Sequence, residues 1–145
     1  MTDLIPPFRS DGYLPEGIHL CSEADLTFRF GSQSRKRRRL ILRIRRWIEL
    51  ARSVGARRLA IDGSFDTSKL EPNDVDAVML VSADFVELAR SGNEAAMELE
   101  EMFVTRQPEE LFAAEDDHNW NAWCEFFART REPDGRRKGI VEIRL

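Results

Sequence analysis

Apolar positions along residues 35–54 recur at helical spacing. Leu40, Ile41, Ile44, Trp47, Ile48 and Ala51 form one stripe of 3.6-residue period, while Arg38, Arg39, Arg45, Arg46, Glu49 and Arg52 fall on the other sides. Ser34 is placed to cap this helix, and Gly55 to end it in a left-handed conformation. The pattern then changes. Residues 58–62 and 75–81 are short apolar runs between turn residues and predict strands, with the polar, Pro72-bearing segment 65–73 as a loop or brief helical turn. Residues 18–21 predict a further strand, and 23–30 a short helix behind Ser22 and Asp25, stopped by Gly31 and Ser32. Residues 85–90 and 93–103 predict helices broken at Ser91 and Gly92, 120–128 another helix, and 139–145 a closing strand. The stretch 109–117 fits strand and helix equally. Residues 1–17, interrupted by Pro6, Pro7, Gly12, Pro15 and Gly17, predict an extended arm. The fold class expected is α/β (α+β): one domain over 1–145, with a small mixed sheet flanked by helices.

At 145 residues and 42% hydrophobic content, the chain can bury the core of one ordinary domain. No run approaches the roughly 18 apolar residues of a membrane span, and the N-terminus lacks the basic start and apolar core of a secretory leader. Cys21 and Cys124 form no CxxC pair and no metal-ligand spacing, so they are expected as buried or incidental thiols in a reducing, cytoplasmic setting. Collagen, a disulfide scaffold and a structural zinc module are excluded.

The net charge of −4 is unevenly distributed. Residues 1–72 carry 14 Arg and Lys against 9 Asp and Glu, and residues 73–145 carry 8 against 17. The basic excess lies in Arg35, Lys36, Arg37, Arg38 and Arg39 with Arg43, Arg45 and Arg46. Such a run either meets nucleic acid or another polyanion, or is solvated and paired with the acidic half; basic helix faces are commonly of the second kind. His19 and His118, 99 positions apart, read as structural or surface residues. Trp47, Trp120 and Trp123, at helical spacings, read as core. The acidic cluster between Glu98 and Asp117 reads as a solvated face.

Chemistry gathers between residues 61 and 76. Ile61, Asp62, Gly63 and Ser64 place a small-residue corner directly after a predicted strand, and Asp74-Val75-Asp76 follows at the start of the next. In a strand, residues i and i+2 share a face, so Asp74 and Asp76 are expected to project together with Val75 turned inward. Two adjacent carboxylates repel unless a proton or a cation neutralises them. Mg²⁺ suits such a pair, because it prefers oxygen ligands and keeps positions for water and phosphate. Gly63 permits close backbone approach, Ser64 offers a hydroxyl and an N–H to a phosphate, and Lys69 stands within reach of a triphosphate or, equally, in solvent, as does Lys138. This is equipment for metal-assisted phosphoryl or nucleotidyl transfer. No GxxxxGK[ST] and no GxSxG string is present.

Gly63-Ser64, nine intervening residues, then Asp74-Val75-Asp76 resembles the active-site signature of the polymerase-β-type nucleotidyltransferase superfamily. The longer string through Phe65, Lys69, Pro72 and Asn73, with Leu14-Pro15-Glu16-Gly17 upstream and Lys138-Gly139-Ile140-Val141 near the end, is similar to a small bacterial family of nucleotidyltransferase-like proteins without assigned function. The resemblance implies a minimal nucleotidyltransferase fold in which Gly63 and Ser64 hold a nucleoside triphosphate, with ATP the expected donor. It implies two Mg²⁺ ions on Asp74 and Asp76, and a third carboxylate from a neighbouring strand. Glu110 is the best candidate for that third acid, and Asp116, Asp117 and Glu142 compete. The acceptor implied is an RNA or a protein. Its side of the site is implied to come from a second copy of the chain, as a homodimer, or from a partner encoded by a neighbouring gene, as in toxin–antitoxin or defence systems. The alternative expectation is an interaction module that keeps the fold without turnover.

Overall fold

A computed structural model describes residues 5–107 and 109–145. In chain order its elements are β1 (Gly17–Cys21), α1 (Glu23–Phe30), α2 (Arg35–Ser53), β2 (Arg58–Asp62), β3 (Asp76–Leu80), α3 (Phe85–Arg90), α4 (Glu94–Thr105), β4 (Glu110–Ala114), α5 (Asp117–Phe127) and β5 (Gly139–Ile143). The protein is therefore of mixed α and β class, and among the described residues no helix is long and apolar enough to cross a membrane. The first four residues of the expected N-terminal arm lie outside the described residues.

Local chemistry sets the boundaries. Ser22 accepts a hydrogen bond from the Asp25 N–H at the start of α1, and Ser34 does the same for Arg37 in α2. Gly55, at φ +68°, follows the α2 cap in the left-handed conformation expected there. The ambiguous stretch 109–117 divides into strand and helix start. Residues 110–114 join β3 as a parallel strand, and Asp116 caps α5 by accepting from Asn119 N–H, so that helix begins three residues earlier than its apolar spacing predicts.

The five strands form one mixed sheet in the order β1-β5-β2-β3-β4. β1 pairs in parallel with β5, β5 antiparallel with β2, β2 antiparallel with β3, and β3 in parallel with β4. Side chains alternate across it, so the two faces bury separate cores. On one face Leu40, Ile44, Trp47 and Ile48 of α2 pack with α1 and α4 over Leu59, Ile61, Ala77, Met79, Leu111 and Val141. On the other, α5 packs Trp120, Cys124 and Phe127 over Ala60, Val78, Leu80, Phe112 and Ile140. Trp47 and Trp120 are thus core residues, as their spacing predicts; Trp123 is half-buried and stacks on Phe112 at 4.1 Å between ring centroids. Cys21 and Cys124 are both buried and neither is in a disulfide.

Candidate functional site

The site forms at one end of the sheet, on the face against which α5 packs. Asp62, the last residue of β2, lies directly opposite Asp76, the first of β3, and Asp76 lies in register with Glu110, the first of β4. Partners in register project to the same face. Three acids therefore stand in a row across three adjacent strands, on the α5 side. Asp62 is buried, Asp76 half-buried and Glu110 exposed.

The corner between β2 and β3 fixes a fourth acid. Gly63 has φ +95°, and a Cβ added there would lie 3.0 Å from the Asp74 carbonyl oxygen and 3.2 Å from Asp74 Oδ1. Ser64 opens a 3-10 turn over Ser64–Asp66. Its N–H and its hydroxyl both donate to Asp74 Oδ1, each at 2.8 Å, while the N–H groups of Asn73 and Asp74 donate back to Ser64 Oγ at 2.8 and 3.2 Å. This corrects two sequence expectations. β3 begins at Asp76, so strand alternation does not aim Asp74; Ser64 does. The Ser64 donors expected to meet a phosphate are engaged by Asp74. Gly63→Ala is expected to cost about 2 kcal/mol, because a side chain at positive φ is strained there and presses on Asp74; a thermal midpoint equal to wild type would contradict this.

Beneath the row lies a buried charge cluster that sequence reading missed. Lys138 Nζ sits 2.7 Å from Asp62 Oδ1, the two side chains being 11% and 9% exposed. Asp66 is 1% exposed. Burial pushes the Asp62 and Asp66 carboxyls upward, Asp66 well above its ordinary range with Asp62 adding to the effect, and the Lys138 ammonium opposes both. Burial alone would lower the Lys138 pKa, but Asp62 and Asp66 outweigh it and hold it above its usual value. Asp76 is pushed up to about 7, first by burial and then by the charges of Asp74, Asp62 and Glu110. Negative charge at this corner thus exceeds what Lys138 neutralises. Lys138 is therefore not the solvated loop lysine that was one of its two readings. Lys138→Met is expected to destabilise the fold by about 2 kcal/mol, held below the full cost of an orphaned buried ion because Asp62 takes up a proton instead. Adding Asp62→Asn to that variant should recover most of the loss in a urea titration, and a further decrease would count against the pairing.

Arg37 positions the loop. Its guanidinium, buried at the start of α2, donates to the carbonyls of Phe30 (3.1 Å), Phe65 (2.8 Å), Thr67 (2.7 Å) and Lys69 (3.1 Å). The arginine run therefore divides by role. Arg43 pairs with Glu109 at 2.9 Å and Arg46 with Glu98 at 2.6 Å, joining α2 to the acidic half of the chain, while Arg35, Arg38, Arg39 and Arg45 remain exposed.

A cavity of about 830 Å³ opens over this corner, lined among others by Gly63, Ser64, Lys69, Asp74, Asp76 and Lys138. Asp74 and Asp76 thus face one space. Glu110 is beside Asp76 but faces solvent, and its sequence competitors are engaged elsewhere: Asp116 in capping α5, Asp117 3.4 Å from Arg57, and Glu142 2.6 Å from Arg58. His19 Nε2 hydrogen-bonds the Pro15 carbonyl at 2.7 Å, and His118 is exposed in the first turn of α5. Among the described residues no group of three or more His, Cys, Asp and Glu forms a ready metal cage. The donor set still suits one hard cation, since Mg²⁺ is commonly held by one or two carboxylates and completes its shell with water and phosphate oxygens. Asp74 and Asp76 are the residues that could hold it, and Lys138 already supplies the positive charge on the Asp62 side.

No curated protein and no solved structure matches the chain. A family of unknown function, DUF6932, matches residues 6–144, and the chain belongs to that family.

Proposed function

We propose that this DUF6932 protein is a Mg²⁺-dependent nucleotidyltransferase with a minimal fold of the polymerase-β type. It transfers a nucleoside monophosphate from a triphosphate, ATP for preference, to a hydroxyl of an RNA or protein acceptor. The observation that carries this reading is the convergence of Asp74 and Asp76 on one cavity beside the Gly63 corner, with Asp76 raised to about 7 by burial and by its acidic neighbours. Such a corner stores unneutralised negative charge, which a divalent ion relieves.

In this reaction the acceptor oxygen bonds to the α-phosphorus, and the bond from that phosphorus to the bridging oxygen breaks. Pyrophosphate leaves with the electron pair, and the hydroxyl proton passes to a base. When bound, Mg²⁺ supplies charge neutralisation and alignment of the phosphates. Asp74 and Asp76 would hold it. Ser64 keeps Asp74 aimed, so its contribution is to position a ligand rather than to grip the substrate. Gly63, packed against Asp74, lets the corner turn tightly enough to seat that acid beside the cavity. Lys69 stands exposed at the cavity rim as a phosphate contact, and Glu110, next to Asp76 in register though solvent-facing, is the acid we assign to receive the proton. The test is label transfer from α-labelled ATP with Mg²⁺ and RNA or protein acceptors, comparing wild type with Asp76→Ala; equal label in both would overturn the reading.

A second reading is a non-catalytic module of the same fold, acting in a homodimer or beside a partner from a neighbouring gene, as in toxin–antitoxin or defence pairs. It is favoured by the internal engagement of Ser64 with Asp74 and of Lys138 with Asp62. Calorimetry with Mg²⁺-ATP separates the two, since the module gives no heat that depends on Asp74.

A further inference from the structure

The cavity has a second wall, built by the end of α5 and the turn that leads into β5. Phe126 is 56% exposed although it is a large apolar ring, and it lines the cavity together with Arg129 and Arg131. Its ring meets Trp123 edge-on at 6.0 Å. The arginines of this turn divide sharply. Arg136 pairs with Asp134 at 2.9 Å and Arg137 with Glu125 at 2.7 Å, whereas Arg129 and Arg131 are exposed and have no acidic partner among the described residues.

The turn is held in shape rather than loose. Arg129 bridges Arg137 across it, the Lys138 N–H donates to the Ala128 carbonyl at 2.9 Å, and Thr130 Oγ1 donates to the Arg136 carbonyl at 2.6 Å. Tyr13 anchors it from the N-terminal side through a 3.1 Å hydrogen bond to Glu132. Two uncompensated guanidiniums and a bare ring are thereby kept on one face of the same cavity that holds Asp74 and Asp76.

We propose that Phe126, Arg129 and Arg131 form the acceptor subsite, and that the acceptor is the end of a single-stranded nucleic acid, its terminal base stacked on Phe126 and its last phosphates on the two arginines. Exposed rings beside cationic side chains are the usual means of holding single strands, because every base offers a flat face and every linkage a negative charge. An acidic peptide would use the arginines and leave the ring idle. A cavity of about 830 Å³ lies toward the upper end of the range for ligand sites, which leaves room for donor and acceptor groups side by side. Naming the strand's end as acceptor rests on the nucleotidyltransferase reading; binding of the strand to this wall does not.

The experiment measures anisotropy of a fluorescein-labelled six-nucleotide oligoribonucleotide, without Mg²⁺, over a range of salt. Arg129→Ala/Arg131→Ala is expected to weaken binding about tenfold or more at low salt and to flatten the log–log salt slope by roughly 1.4, the value for two lost phosphate contacts on a single strand. Phe126→Ala is expected to weaken it about fivefold or more. Arg39→Ala/Arg45→Ala, which removes the same charge from α2, should leave affinity near wild type. Loss that follows the α2 pair, or equal affinity in all variants, overturns the proposal. Loss of Mg²⁺-ATP binding in the Arg129/Arg131 variant with the oligonucleotide unaffected also overturns it, by assigning the wall to the donor. Oligonucleotide binding that needs the wall in a protein giving no heat with Mg²⁺-ATP would keep the subsite and refute only the nucleotidyltransferase reading.

Discussion

Exchange of Asp76 for asparagine is expected to abolish the proposed nucleotidyl transfer, by about a thousandfold or more, while raising the thermal midpoint of the protein. The amide keeps the shape of the side chain but offers no anionic oxygen to a cation. It also removes one negative charge from a corner where Asp74, Asp62 and Glu110 all act against the Asp76 carboxylate. The sign of the pH dependence follows from the direction of that shift. Asp76 keeps its proton in the folded protein up to about pH 7, whereas its ordinary value is 3.8. Between those values the folded state binds more protons than the unfolded one, so stability declines as pH rises through the window. Asparagine has no such decline. The gain in midpoint for Asp76→Asn should therefore be small near pH 4 and largest above pH 7, measured by scanning fluorimetry with a chelator present. A gain that is the same at both ends would show that neither burial nor the neighbouring acids hold this carboxyl above its ordinary value.

Arg37→Ala should be the most damaging single exchange away from the acids. It strips the donors from four carbonyls, of which those of Phe30 and Phe65 meet the guanidinium in buried hydrogen bonds. Buried acceptors left without partners cost about 1–3 kcal/mol each, with some relief from entering water, so a net loss of about 4 kcal/mol is expected. For a chain of this length that corresponds to a fall of roughly 10 °C or more in thermal midpoint. Arg37→Lys should not rescue it, since a single ammonium on a flexible stem cannot span carbonyls from α1 and from the 65–69 loop at once. Arg39→Ala, two residues away but exposed, should stay within about 0.5 kcal/mol of wild type. Urea titrations of the three variants check this, and a lysine variant as stable as wild type would refute the role given to Arg37.

Periodicity revealed the parts of this fold that are local. The α2 stripe, its Ser34 cap and the strands on either side of the Gly63 corner follow from spacing and turn residues alone. Arg37 obeys the same stripe, three residues before Leu40 and four before Ile41, but its charge disguised a buried position as part of a solvated run. β4 was ambiguous because a short apolar segment without alternation suits a parallel strand and a buried helix alike. That Asp74 and Asp76 face one space with Val75 buried between them was legible; what aims Asp74 was not, since a hydrogen-bonded serine, not a pleat, turns it into the cavity. Lys138 was the least legible. It meets Asp62 only because β5 lies beside β2, a contact between residues 76 positions apart, and no local pattern encodes it.

The place of β5 has one more consequence. It follows every other strand in the sequence, yet it lies inside the sheet between β1 and β2. Among the described strands β1 therefore has no neighbour to pair with during translation until residues 139–143 have emerged from the ribosome, and the ammonium that steadies Asp62 arrives with the same segment. A nascent chain halted before that point would hold Asp62 without its built-in counterion.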